Sequence, residues 1–183
     1  MIIVVMGVSG SGKTTIGKML AEAIGCSFLE GDSLHSKENI EKMSHGIPLS
    51  DSDRAPWLTA VHSHVRESFK HGENLVVGCS ALEQQYREFL AEGIPVTWVY
   101  LKGSAERIRA RMKHRLSHFM RADMLPSQFD ALEEPSDAIV VDISEPPSAI
   151  VAQILAQLPR PRSILRGRAA PTCPGQACEG EDV

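Results

Sequence analysis

Residues 7–14 read Gly7-Val8-Ser9-Gly10-Ser11-Gly12-Lys13-Thr14 and fit the spacing GxxxxGK[ST]. Those residue types at that spacing suit the binding of a polyphosphate. Glycines let the main-chain N–H groups of Gly7, Ser9, Gly10, Ser11 and Gly12 turn inward around an anion, and a helix opening at the loop's end adds positive partial charge. Lys13 is placed to reach the terminal phosphates and Thr14 to set its hydroxyl on Mg²⁺; Thr15 extends the phosphate-binding run. The plainer alternative is a glycine-rich turn that only joins a strand to a helix.

A second group of chemistry-bearing side chains is Glu30-Gly31-Asp32. Glu30 suits the water shell of Mg²⁺, and Asp32 suits acceptance of a proton from an attacking hydroxyl. Turn formation or helix capping ahead of Ser36 is the competing role, and for Glu30 it stands level with metal binding. Further on, Lys102, Arg107, Arg109, Arg111, Lys113, Arg115 and Arg121 crowd one stretch in which Glu106 is the only acid. Arg107, Arg111 and Arg115 fall four apart and line one helix face, as in a lid that folds over a triphosphate. Arg111 and Arg115 are the candidates for stabilising the charge of phosphoryl transfer, whereas Arg107, Arg109 and Lys113 read as a solvated face. His35 and His118 flank the carboxylate turn and the lid, where polar substrate contacts are needed; a structural hydrogen bond would serve each equally well. His62 and His64, two apart on a helix, cannot share a metal.

A phosphate loop needs a strand before it and a helix after it. Apolar runs alternate with helix-period segments along the whole chain, the pattern of an α/β protein with a mostly parallel sheet. The expected strands are Ile2–Met6, Cys26–Glu30, Leu75–Gly78, Pro95–Leu101 and Ala138–Ile143, continuously apolar as in a sheet covered on both faces. Ile16, Met19, Leu20 and Ala23 recur at helical spacing, with Gly25 as the stop. A second helix is expected over Pro56–Phe69, with Trp57, Val61, Val65 and Phe69 on one stripe; Ser104 and Ser148 are expected to cap two more.

With 183 residues, 43% of them hydrophobic, the chain is sized for one domain. Its longest apolar runs fall far short of the roughly 20 residues that cross a bilayer, and its start does not resemble a signal peptide. The four cysteines are dispersed, so reduced thiols and a cytoplasmic location are expected. A net charge of −4 provides no field for a nucleic-acid backbone. The NKxD and DxxG elements of guanine-selective switches are missing, and Leu75-Val76-Val77 ends in Gly78-Cys79 rather than the Asp-Glu of a motor ATPase. From Pro159 the composition turns to proline, glycine, arginine and small residues without periodicity. The expected organisation is therefore a domain over 1–158, with a lid at about 104–132, and a disordered tail over 159–183.

Taken together, GVSGSGKTT, EGDSLHSKENIEKMSHGIPLSDSDRAPWL, CSALEQQYR, YLKG, and HFM followed by LPSQFDALEEP resemble the gluconate kinase family of phosphate-loop kinases. The resemblance covers about residues 2–157 and is most specific over Gly31–Leu58. It implies a three-layer α/β/α fold of the adenylate-kinase type, with a five-stranded parallel sheet and a helical lid. It also implies ATP with Mg²⁺, transfer to the 6-hydroxyl of D-gluconate, and a homodimer. By position, it places Asp32 beside the accepting hydroxyl, Arg54 and Arg87 at the sugar acid's carboxylate, and His35 on a hydroxyl, with Ser80 and Tyr86 completing the pocket. Two positions depart from the family pattern. Glu30 stands where an aspartate is expected, and Leu116-Ser117 stands where Lys-Gly is expected, which removes a phosphate contact and a flexible point of the lid. The rivals are a kinase for another small polyol or acid such as shikimate, and a nucleotide-binding module without catalysis. Removing residues 159–183 is expected to leave melting temperature and kinase activity nearly unchanged; loss of soluble protein on truncation would show that the tail joins the core.

Overall fold

The structure is a computed structural model and describes residues 1–113 and 124–159. Strand β1 (Ile2–Met6) is buried along its whole length because it is paired on both sides. On one side it runs parallel to β3 (Leu75–Gly78), which in turn pairs with β2 (Ser27–Glu30). On the other it runs parallel to β4 (Val96–Lys102), which pairs with β5 (Ile139–Asp142). The result is a five-stranded parallel sheet of order β2-β3-β1-β4-β5, the adenylate-kinase-like arrangement. β5 is an edge strand.

Alternation along β1 divides the core in two. Ile3 and Val5 join Ile16 and Leu20 of α1 (Lys13–Ile24) and Ile150 and Ile154 of α7 (Pro147–Gln157). Ile2, Val4 and Met6 join Trp57, Val61 and Val65 of α3 (Asp51–Lys70) and Tyr86 and Leu90 of α4 (Gln84–Leu90). Each such aliphatic side chain contributes on the order of 2 kcal/mol by leaving water. Both faces of the sheet are therefore covered, and the free space for a ligand lies outside the strands' carboxyl ends.

Strands β2, β4 and β5 differ from expectation by one residue at their ends, and two helix starts differ more. Helix α3 begins at Asp51, not at Pro56, because Ser50 and Asp53 form a capping box: Ser50 Oγ accepts the Asp53 N–H at 3.2 Å and Asp53 Oδ2 accepts the Ser50 N–H at 3.0 Å. Pro56 is carried inside the helix, and Phe69 lies exposed rather than on the buried stripe. Helix α7 starts at Pro147 after Pro146, so Ser148 lies within it and is not its cap; proline's fixed φ already suits the first turn. Ser104 does cap α5 (Ala105–Lys113), its Oγ accepting the Arg107 N–H at 3.3 Å.

The Gly31–Leu34 3₁₀ turn, α2 (Lys37–Ser44), α4 and α6 (Leu125–Asp130) have no counterpart among the expected elements. Each is too short for its apolar spacing to stand out. Arg115, Leu116, Ser117 and His118 of the expected lid, and residues 160–183, lie outside the described residues.

The turn after β2 is set by a close backbone approach: a Cβ on Gly31 would come within 2.6 Å of the Gly78 carbonyl oxygen. Gly31→Ala is expected to cost about 1–3 kcal/mol in urea denaturation by forcing the backbone apart there. Unchanged stability would show that β2 and β3 separate freely at their ends.

Candidate active site

The phosphate loop leaves β1 at Gly7 and enters α1 at Lys13. Gly7, Gly10 and Gly12 have φ of 137°, 82° and 107°, the left-handed region that favours glycine. The first turn of α1 carries neither an acidic residue nor a side-chain cap, which leaves its N–H groups for an anion. Lys13 is buried, and its ammonium donates to the carbonyls of Gly7 at 3.0 Å and Val8 at 3.2 Å. That geometry holds the charge over the loop, where phosphate oxygens would compete with those carbonyls for it. The Ser9 N–H donates to Gln128 Oε1 at 2.6 Å, which ties the loop to α6.

A cavity of about 150 Å³ opens beside this loop. Its lining brings together Ser9, Lys13, Asp32, His35, Arg54, Ser80 and Tyr86, which the sequence had placed in three separate motifs. Asp32 comes from the 3₁₀ turn after β2. His35 lies flat against the Trp57 indole, the ring centroids 4.3 Å apart and the planes 13° from parallel. Trp57 is itself fixed by donating to the Gly31 carbonyl at 2.8 Å. Burial holds the His35 pKa below the usual range, against the opposing pull of Asp32. The imidazole is therefore neutral near pH 7, and its buried Nδ1 has no hydrogen-bond partner among the described residues.

Arg54 is placed by the capping box that starts α3. Lys42 donates to Asp53 Oδ1 at 2.7 Å, and Asn39 Nδ2 donates to the Asp53 carbonyl at 2.7 Å, so α2 is clamped to the turn that carries Arg54. The Lys42 contact first, with Ser50 second, holds the Asp53 carboxyl at about 2. Arg54 Nη1 donates to the Tyr86 hydroxyl at 2.9 Å, and that hydroxyl donates to Asp51 Oδ1 at 2.6 Å. Burial, and then the Asp51 carboxylate, push the Tyr86 phenol upward. One guanidinium is thus fixed in the cavity wall by a phenol with a settled proton.

Two expected contacts fall elsewhere. Arg87 does not line this cavity: it is buried behind the wall, and its Nη1 donates to the carbonyls of Ala81 at 3.0 Å and Leu82 at 2.8 Å. A guanidinium already committed to main-chain carbonyls supports the loop after β3 instead of receiving a carboxylate. That loop includes Ala81 at φ 41°, a strained conformation for alanine. Arg111 donates to the Ile143 carbonyl at 2.6 Å and lines a second hollow, on the outer side of the phosphate loop, with Gly10, Gly12, Thr15, Glu145 and Pro147. Arg107 and Arg109 are exposed, as a solvated face requires.

Thr14 and Glu30 are both half-buried. Burial first, and then the Asp32 charge, push the thiol of Cys79, next to the end of β3, up to about 12. Among the described residues no group of three acidic, histidine or cysteine side chains is placed to hold a metal unaided. The oxygen donors nearby are the Thr14 hydroxyl and the Glu30 carboxylate, a pair that suits Mg²⁺, which keeps waters and takes further oxygens from a ligand's phosphates.

Several lining residues were not singled out in the sequence: Met43, Leu49 and Met124, which form a small apolar cluster, and Glu83 and Gln128. No local pattern marks them, since they reach the cavity from α2, the segment after it, the loop before α4, and α6.

A family model described as shikimate kinase matches residues 9–159. The thermoresistant gluconokinase of Escherichia coli is 42% identical over 84% of this chain and 91% of that enzyme. A gluconokinase of Gluconobacter oxydans is 48% identical over 74% and 76% of the two chains. A crystal structure of a gluconokinase from Sinorhizobium meliloti superposes with a TM-score of 0.76 at 46% identity, covering 84% of this chain and 89% of its own. With this similarity, the phosphate loop and the sheet order in agreement, the chain belongs to the gluconokinase family of phosphate-loop kinases.

Proposed function

We propose that the protein transfers the terminal phosphate of ATP to the 6-hydroxyl of D-gluconate, giving 6-phospho-D-gluconate and ADP. The observation that carries this is the shared cavity: a phosphate-gripping lysine, a carboxylate and a guanidinium line one space. The family relatives support the sugar acid as substrate. The loop N–H groups and Lys13 hold the phosphates, and Arg54 pairs with the carboxylate through its planar fork. Held at both ends, gluconate presents its 6-hydroxyl to phosphorus in line with the leaving oxygen. Asp32 takes the hydroxyl proton as the new oxygen–phosphorus bond forms, and Lys13 offsets charge on the transferring group. His35, neutral and unpartnered at Nδ1, accepts from or donates to a substrate hydroxyl, with Ser80 beside it.

Mg²⁺, bound by Thr14 and the phosphates with Glu30 near its waters, would supply charge neutralisation. The second hollow, floored by the loop and edged by Arg111 and Pro147, suits a flat nucleobase. Arg115 and His118 add the phosphate and substrate contacts that the motif assigns to them. Cytoplasmic residence and a homodimer accompany this proposal; no described helix is long and apolar enough to cross a membrane.

The shikimate kinase match makes shikimate the rival acceptor. Coupled ADP detection across gluconate, shikimate and nucleoside monophosphates is expected to register turnover with gluconate alone; ADP release with shikimate in its place would overturn the assignment. Asp32→Asn is expected to lower kcat by at least about 100-fold while ATP still binds. A kcat near that of the parent would remove Asp32 from the chemistry. Arg54→Ala is expected to raise the gluconate KM by about 10-fold or more, and an unchanged KM would exclude it as the carboxylate partner.

A further inference from the structure

Two acids and two bases among the cavity's lining residues divide into two pairs. Lys13 and Asp32 form one pair; Arg54 and Glu83, with Nη1 and Oε1 separated by 3.8 Å, form the other. His35 lines the same cavity. The phosphoryl chemistry uses the first pair and the carboxylate uses Arg54. Glu83 is left with no role.

Its placement is unusual for an ordinary surface acid. Glu83 occupies the N-cap of α4, where a carboxylate commonly accepts from the helix's first N–H groups, yet its side chain makes no capping bond. Oε2 instead accepts from Gln85 Nε2 at 2.7 Å, and Oε1 is turned toward Arg54. Arg54 has another acidic neighbour, Asp51, at 3.6 Å, but the Asp51 side chain is 75% exposed and does not line the cavity, whereas that of Glu83 is 24% exposed and does. A half-buried carboxylate next to the guanidinium weakens that guanidinium's pull on an incoming anion. The arrangement gains affinity only from a ligand that carries a hydrogen-bond donor immediately beside its negative charge. An α-hydroxycarboxylate does so, because its hydroxyl lies one carbon from its carboxylate.

We propose that Glu83 is a specificity-determining residue: its carboxylate accepts a hydrogen bond from the hydroxyl on the carbon next to the substrate's carboxylate, while Arg54 holds the carboxylate itself. This rests on the gluconate assignment above. Glu83 and Arg54 together then select 2-hydroxy acids over acids lacking that hydroxyl. They also disfavour a phosphate dianion at this end of the cavity, which orients the sugar acid with its 6-hydroxyl toward Lys13.

The test compares D-gluconate with 2-deoxy-D-gluconate in the parent, Glu83→Ala, Glu83→Gln and Arg54→Ala proteins, by steady-state kinetics. The parent is expected to prefer gluconate in kcat/KM by about 10- to 100-fold. Glu83→Ala should shrink that preference to within about threefold, chiefly through a higher KM for gluconate. Glu83→Gln, of the same shape and retaining one acceptor oxygen, should fall between. Arg54→Ala should raise KM for both acids and keep most of the preference. The assignment is overturned if Glu83→Ala and Glu83→Gln weaken both acids equally, since that is what a merely structural support of Arg54 would produce. Absence of gluconate turnover in the parent would instead overturn the gluconate assignment, a result distinct from a Glu83-independent preference.

Discussion

The site depends on a main-chain junction between two neighbouring parallel strands. Cys79 N–H donates to the Val5 carbonyl at 3.1 Å, and Gly7 N–H donates to the Ser80 carbonyl at 3.3 Å. The loop with the phosphate-binding spacing and the loop that walls the cavity beside it are therefore extensions of one hydrogen-bonded ladder. Because β1 and β3 are parallel, both loops leave the sheet at the same end and in register. The relative position of the two loops is thus set by the most buried part of the molecule. Arg87 braces the same junction from behind, satisfying the carbonyls of a loop that Ala81 enters in a strained conformation. Glu133 adds to it, its N–H donating to the Leu82 carbonyl at 3.0 Å and its carboxylate accepting from the Gln84 N–H.

The substrate end is built differently. No strand carries Arg54 or His35; both are placed by a chain of local polar contacts. Asn39 and Lys42 fasten α2 to Asp53, the capping box fixes the first turn of α3, and Tyr86 receives the guanidinium. Trp57 links the two ends, since its indole N–H binds the Gly31 carbonyl beside Asp32 while its ring supports His35. This accounts for the distinctiveness of the stretch from Gly31 to Leu58: Ser36, Asn39, Lys42, Ser50, Asp53 and Trp57 each hold another part of it in place.

The phosphate loop and all five strands were legible in the sequence because each is a local signal, a fixed spacing or a continuous apolar run. Asp32 and His35 stood out from their own types and positions, Arg54, Ser80 and Tyr86 only through family resemblance, and one cavity is lined by all five. Arg87 was misplaced because a sequence shows an arginine near a motif but not the direction of its side chain, and burial against Ala81 and Leu82 decided that. The start of α3 was missed because proline dominated the pattern while the Ser50–Asp53 box, a stronger determinant, lay upstream of it. Glu83 and Gln128 carry no sequence signal, since their importance comes from what long-range packing brings beside them.

The central claim is that one cavity presents the acceptor hydroxyl to the nucleotide and anchors the sugar acid at the opposite end. A crystal structure of the protein with D-gluconate and a non-hydrolysable ATP analogue tests this most directly. The account predicts the 6-oxygen within hydrogen-bonding distance of the Asp32 carboxylate and facing the terminal phosphorus, with the acid's carboxylate on Arg54. Gluconate bound with its carboxylate toward Lys13, or outside this cavity, would contradict it.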